Sequence, residues 1–347
     1  MSIFGRTTFS SAGYAAFRPS YPPELFNRVL AFHHANNHNV NHNSQKLVQD
    51  GGAPPFSSST PTKTLLDLGC GHGLVARALA PHFTSIIAVD PSAGMIEQAR
   101  KLTSDPKITF RRGGAEDLSF LPDASVDCAV AGQAAHWFDY ARAWPELARV
   151  VKPGGTLAFW GYKDHVIVGP RPRVSAAATA ATTAVYERFT YGESEPAPGW
   201  ESMARFWEMP GRGVLRDSLR AVVPPVADWE RVTRIAWDPD GKRARTAEGA
   251  EADDVLADAP EEALWLRKTL RLGELEGYLR TFSAFHGWQG AHPEKKSRAE
   301  GGEGDIIDLM FDVMVAAVPE WRDKGDEWKQ VEVEVVWGTI LLMAKRK

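Results

Sequence analysis

Cysteine is almost absent: the 347 residues contain two. Neither Cys70 nor Cys128 sits in a CxxC pair, so a disulfide framework is excluded and both read as reduced residues of an intracellular protein. Long apolar runs are also missing. No stretch reaches the roughly 18 residues that a membrane span needs. The first residues, "MSIFGRTTFSSAGYAAF", lack a continuous apolar segment and make a poor signal peptide. Nor is there an excess of positive charge. Forty Lys and Arg face 44 Asp and Glu, for a net charge of −4, so no general attraction to nucleic acid or to an anionic membrane is expected. The expectation is a soluble, cytoplasmic protein, monomer or homodimer, with no nucleic-acid or membrane partner. What is present is 44% hydrophobic residues, enough to bury a substantial core.

Residues 1–34 end in "PPELFNRVLAFHH", a short amphipathic helix opened by two prolines, and are read as a lid and helix segment. Residues 35–63 are rich in Asn, His, Ser, Pro and Gly and hold too little apolar surface to order themselves, so a flexible loop is expected. His33 and His34 just before this loop, and His38 and His42 within it, have a spacing that fits no closed metal site. From 64 to 165 short apolar strands alternate with helices: "TLLDLG", "SIIAVD", "ITFRRG", "VDCAVAGQ" and "GGTLAFWGY" are the strands. Pro145 is expected to make the start of the helix "YARAWPELARVV" irregular. This rhythm predicts an α/β fold with a doubly wound, mostly parallel sheet covered on both faces. Residues 166–324 read as a mainly helical insertion, with one strand at 229–238 and one or two helices over 261–288. Polar stretches at 240–258 and 290–304 read as loops. Residues 325–347, with "VEVEVVWGTILLMAKR", return as a last strand and make seven.

The turn "LLDLGCGHG" at 65–73 carries the first chemistry. A dinucleotide fingerprint needs glycines at 69, 71 and 74, and position 74 is Leu74. The order here is Asp67, Gly69, Gly71, Gly73, with Cys70 inside the turn. Bare backbone at the mouth of a helix lets a ligand lie close to unpaired N–H groups. Asp90 ends the second strand, where a carboxylate can accept both hydroxyls of a ribose. "PSAGMIEQAR" follows, then "GGAEDLSF" after the third strand, "AGQAAHWFD" after the fourth, and "VKPGG" before the fifth.

In this order the motifs resemble those of class I S-adenosylmethionine-dependent methyltransferases, with a Rossmann-like sheet. The resemblance implies that S-adenosylmethionine is the cofactor and S-adenosylhomocysteine the product. It places Asp67 near the cofactor's ammonium group, Asp90 on the ribose and Met95 beside the adenine, with Pro91 and Ser92 also in the cofactor set. Ala115, Glu116 and Asp117 are the candidates for the adenine edge, Glu116 also reading as a solvated neighbour. Gln133 joins the cofactor set. "YAAFRPSYP", "HWFD" and the aromatic "YLRTFSAFH" together resemble the fungal trans-aconitate methyltransferase group and its small-molecule relatives of secondary metabolism. That likeness implies a small organic acid as acceptor and a methyl ester as product.

A sulfonium methyl is already activated, so the protein has to hold an oxygen about 3 Å away, in line, and exclude water. A carboxylate is ionised at neutral pH and needs no base, but it needs a counter-charge. Arg18 is the candidate, for the acceptor or for the cofactor's own carboxylate. Tyr14 and Trp137 are candidates to face the sulfonium, with core packing as the alternative. Tyr21, His136, Trp137, Tyr278, Phe282 and His286 are the candidate acceptor residues. His136 discriminates between acceptors. It orients an acid, or serves as base for a hydroxyl or phenol of a secondary metabolite. A protein that binds the cofactor without transferring methyl is the rival from another class. No metal is expected.

Overall fold

The computed structural model describes residues 17–35, 62–168, 175–239 and 266–347. Tyr14, His38 and His42, most of the loop at 35–63, and the 240–258 stretch lie outside them. The first helix, α1 (Pro23–His34), starts at a proline, whose missing N–H is no loss there, and buries Leu25, Val29 and Leu30 along one side. Strand β1 (Thr62–Leu68) leads through the glycine turn to α2 (Leu74–Leu79). Strand β2 (Phe83–Asp90), helix α3 (Ala93–Lys101), strand β3 (Ile108–Arg112), strand β4 (Val126–Gly132) and helix α4 (Tyr140–Val150) continue the alternation. Pro145 lies inside α4, which runs through it; the expected irregular start is not seen. Asp139 begins that helix regularly, its carboxylate accepting the Ala141 N–H.

Strand β5 (Val151–Ile167) includes the whole "VKPGG" segment. Its pairing with β4 jumps from Val126↔Val151 to Cys128↔Thr156, so the Pro-Gly-Gly residues bulge out. Helices α5 (Ala176–Tyr191) and α6 (Gly211–Arg216) precede strand β6 (Trp229–Trp237). Residues 267–271, expected within a helix, form strand β7 (Arg267–Arg271) instead. "RKTLR" buries only Leu270, and its backbone pairs along β8, which outweighs the helical preference of isolated Arg and Lys. Helices α7 (Leu272–Leu279), α8 (Ser283–Ala291) and α9 (Ile306–Ala317) follow, and β8 (Glu332–Arg346) ends the chain.

The sheet order is β3-β2-β1-β4-β5-β8-β6. Strands β1 to β5 are parallel; β8 runs antiparallel to β5, β6 and β7. Strands β6 and β7 share one edge of β8 end to end, so eight strands among the described residues build a sheet seven strands wide. Strand alternation divides the core between two faces. Leu66, Leu68, Ala129 and Phe159 pack on one, Leu65, Cys128, Val130 and Trp160 on the other. The long β5 and β8 project past the parallel strands, where Tyr162, Ile167, Val335 and Trp337 carry α5, α7, α8 and α9 in a third cluster. The insertion is thereby held over the carboxyl ends of the parallel strands. Chain order reverses between β1 and β4, and such a switch point is where open α/β sheets bind ligands. Among the described residues no helix is long and apolar enough to cross a membrane.

Candidate functional site

A cavity of about 850 Å³ opens at that switch point and runs from the glycine turn to the helical insertion. At one end Gly69, Gly71 and Gly73 all have positive φ, at +65°, +54° and +83°. A Cβ on Gly69 would come within 2.3 Å of the Ala134 methyl, because the turns after β1 and β4 touch. At Gly71 the space is open. Gly69, Cys70 and Gly71 form the wall. Gly73 lies behind it against the Phe110 ring and starts α2. The Cys70 thiol is buried, and burial raises its pKa.

Asp67 is fully buried beneath the turn and off the wall. Its Oδ2 accepts the Ala76 N–H at 3.0 Å, and its Oδ1 has no protein partner. Burial pushes the carboxyl up to about 7. Asp90 faces the cavity and is held rigidly: Oδ2 accepts from Gly71 N at 2.9 Å and Oδ1 from Ser92 N at 2.8 Å. Burial raises its pKa, against the pull of those two bonds. Each oxygen keeps a lone pair for a further donor. Pro91, Ser92 and Met95 line the next stretch, Ser92 accepting the Met95 N–H at the start of α3. Ala115 and Glu116 also line it, and Glu116 accepts the Asp139 N–H at 2.9 Å. Asp117 stands off the wall, exposed, with its carboxylate bonded by Ser119.

The other end is aromatic and cationic. Arg18 donates to the Tyr162 hydroxyl and to the Thr281 carbonyl, both at 3.1 Å. Its guanidinium lies 5.4 Å from the Tyr278 ring centre and 5.5 Å from that of Phe282. Tyr21 packs edge-on against Trp160. His136 and Trp137 sit on a single 3-10 turn after β4, and both reach the cavity. Burial, then the charges of Arg212 and Arg18, hold the His136 imidazolium down to about 3, so the ring is neutral near pH 7. Gln133 reaches the wall with both ends of its amide engaged by the Tyr162 backbone. His286 lies off the wall, its pKa lowered by burial and by Arg18.

Sequence reading overlooked Tyr162, Lys163, Trp207 and Arg212, all on the wall. Helix α6 brings Arg212 in. Gly211 packs so tightly on the Trp137 ring that an added Cβ would lie 2.5 Å from it, which seats α6 against the His136 turn. The carboxylates Asp90 and Glu116 line the glycine-turn end together with Arg112; Arg18, Lys163 and Arg212 stand at the other, with Lys163 paired to Asp238 at 2.6 Å.

Residues 66–159 match the methyltransferase domain family. A Saccharomyces cerevisiae protein, provisionally named S-adenosylmethionine-dependent methyltransferase CRG1, is 32% identical over 158 residues, 44% of this chain and 46% of its own. Methyltransferase pgmE of Aspergillus terreus is 28% identical over 233 residues, 65% of this chain and 62% of its own. The chain spans about half the length of the first curated relatives it matches. A solved structure from Anaeromyxobacter dehalogenans, provisionally named a type II methyltransferase, aligns over 95% of this chain and 98% of its own. Its TM-score is 0.56 at 24% identity, a likeness of fold. The chain has the class I, Rossmann-like methyltransferase fold.

Proposed function

On this fold, and with Arg18 and Arg212 at the far end of the cavity, we propose that the chain is an S-adenosylmethionine-dependent methyltransferase that converts a carboxylate of a small organic acid to its methyl ester. The residues present suit the cofactor. Asp90 offers two pre-oriented oxygens to a ribose diol, and the bare Gly71 leaves room for a close-lying chain. Asp67 keeps one buried oxygen unpartnered behind the same turn and off the wall, so its charge would act on an ammonium group only through the turn. Met95, Ala115 and Glu116 supply the wall for a flat base. When bound, S-adenosylmethionine supplies an activated methyl on a sulfonium.

The protein's own share is binding, orientation and exclusion of water. Arg18, Tyr162 and the aromatic rings of Tyr278 and Phe282 form the floor on which an anion would rest. The observation that carries the acid reading is the pair of guanidiniums, Arg18 and Arg212, that border the cavity beside a neutral His136. A ring whose conjugate acid lies near 3 is too weak a base to take a proton from an alcohol or phenol, but its neutral form can hydrogen-bond an ionised acid. A carboxylate needs no deprotonation at neutral pH. Positioning alone then carries the displacement, and it supplies up to roughly 7–11 kcal/mol in the best intramolecular cases.

The test is mass analysis after incubating the protein and isotopically labelled S-adenosylmethionine with a pool of small organic acids, alcohols and phenols. Label in methyl esters supports the proposal. Label confined to ethers contradicts it in favour of a hydroxyl acceptor. No transfer, with the cofactor still bound, supports a protein that binds it for another purpose.

A further inference from the structure

The second guanidinium of the acceptor end, Arg212, is built in more firmly than Arg18. Its side chain is 11% exposed and stacks 4.5 Å from the centre of the Trp207 ring. Tyr191 lies parallel to Trp207, 5.5 Å away. Nη2 of Arg212 donates to Asp164, and Nε donates to the Tyr191 hydroxyl at 2.7 Å. Asp164 sits in the bulge of β5 between Tyr162 and His165 and accepts from the hydroxyls of both Tyr186 and Tyr191 at 2.7 Å. It also pairs with Arg216 at 2.8 Å. Two guanidiniums therefore share one half-buried carboxylate, and Glu187 balances the second of them. Glu187 meets Arg216 from the half-exposed outer side, where solvent screens it. One edge of the Arg212 fork is thus taken by the protein, and the residue still borders the cavity beside His136.

We propose that Arg212 grips the acceptor's carboxylate and that Asp164 is the positioning residue that aims it. This deepens the reading above and rests on its premise that the acceptor is an acid. A planar guanidinium fixed by a carboxylate on one edge is pre-organised to meet a second carboxylate on the other. Lysine would keep the charge and lose the fork.

Succinate is the anion probe, titrated by calorimetry into protein saturated with S-adenosylhomocysteine, with uncharged succinamide as control. Wild type is expected to bind succinate and not succinamide. Arg212→Lys is expected to weaken succinate about tenfold or more while S-adenosylhomocysteine binding stays unchanged. Asp164→Asn is expected to weaken succinate in the same direction, and Asp164→Glu to restore part of it; a merely structural role would move both ligands together. Unchanged succinate affinity in Arg212→Lys overturns the proposal. So does a loss of S-adenosylhomocysteine binding in that variant, which would give Arg212 to the cofactor's carboxylate instead. A wild type indifferent to succinate overturns it too. Methyl transfer to any acid in the labelled pool would in that case leave the earlier reading standing.

Discussion

The side-chain amide of Gln133 closes on the backbone of Tyr162 from both sides. Its Oε1 accepts the Tyr162 N–H at 2.7 Å, and its Nε2 donates to the Tyr162 carbonyl at 3.0 Å. Gln133 itself adopts a left-handed φ of +58°, unusual without glycine. Where β4 ends, this amide stands in for the next rung of the ladder to β5. Tyr162 in turn receives Arg18 on its hydroxyl. One residue thus fastens the acceptor end of the cavity to the cofactor end.

Gln133→Ala should therefore destabilise the fold by about 2 kcal/mol or more. It strands two backbone groups of Tyr162, while the strain of the positive φ, already carried by the glutamine, stays the same. Gln133→Gly relieves the backbone and should recover part of the loss. Urea denaturation measures both. A change in Gln133→Ala below about 0.5 kcal/mol, the size of an ordinary surface substitution, would contradict the account.

The glycine turn yields a graded pair. Gly69→Ala drives a methyl into Ala134 and forces a strained φ, so it should cost both stability and cofactor binding. Gly71→Ala meets open space and pays the φ strain alone, of order 1 kcal/mol. Thermal unfolding should rank Gly69→Ala well below Gly71→Ala; the reverse order would show that the turns after β1 and β4 do not touch as described.

Much of this was legible in the sequence because it is local. Asp67, the three glycines and Asp90 sit at strand ends that continuous apolar runs mark out, and a sheet covered on both faces demands such runs. What was not legible depends on phase or on distant contacts. Whether Glu116 or Asp117 faces the cavity is decided by one residue's rotation in a turn. Arg212 lies on a six-residue helix, and only the packing of Gly211 on Trp137 brings it in. Strand β7, with three basic residues in five, carries no apolar alternation and exists because β8 has an edge to share. Pro145 reads as a breaker, yet α4 passes through it with Ala143, Trp144 and Leu147 anchored in the core.

His136→Ala should raise the KM for the acid more than it lowers kcat, because an orienting hydrogen bond is lost and no proton transfer is removed. The wild-type ring, held down to about 3, should contribute no inflection to the rate between pH 6 and 8. Steady-state kinetics across that range checks both. A loss confined to kcat, steepening as pH falls, would make His136 a base.

Asp67 predicts a pH dependence of stability. Its carboxyl is raised by burial from an ordinary value of 3.8 to about 7, so the folded chain holds a proton that the unfolded chain releases. The stability this contributes is complete below 3.8 and is lost as pH rises through about 7. Asp67→Asn is always neutral and should gain on wild type by up to roughly 4 kcal/mol between pH 4 and pH 8, without cofactor. Chemical denaturation at the two pH values measures it; a constant difference would mean that Asp67 is ionised throughout.

The central claim is that the glycine turn and Asp90 select a sulfonium nucleoside over a dinucleotide. Titration calorimetry of S-adenosylhomocysteine and NADH into wild type and Asp90→Ala tests it most directly. The account predicts heat with S-adenosylhomocysteine, at least about tenfold weaker binding in Asp90→Ala, and none with NADH. Binding of NADH, with no response to S-adenosylhomocysteine, would contradict it.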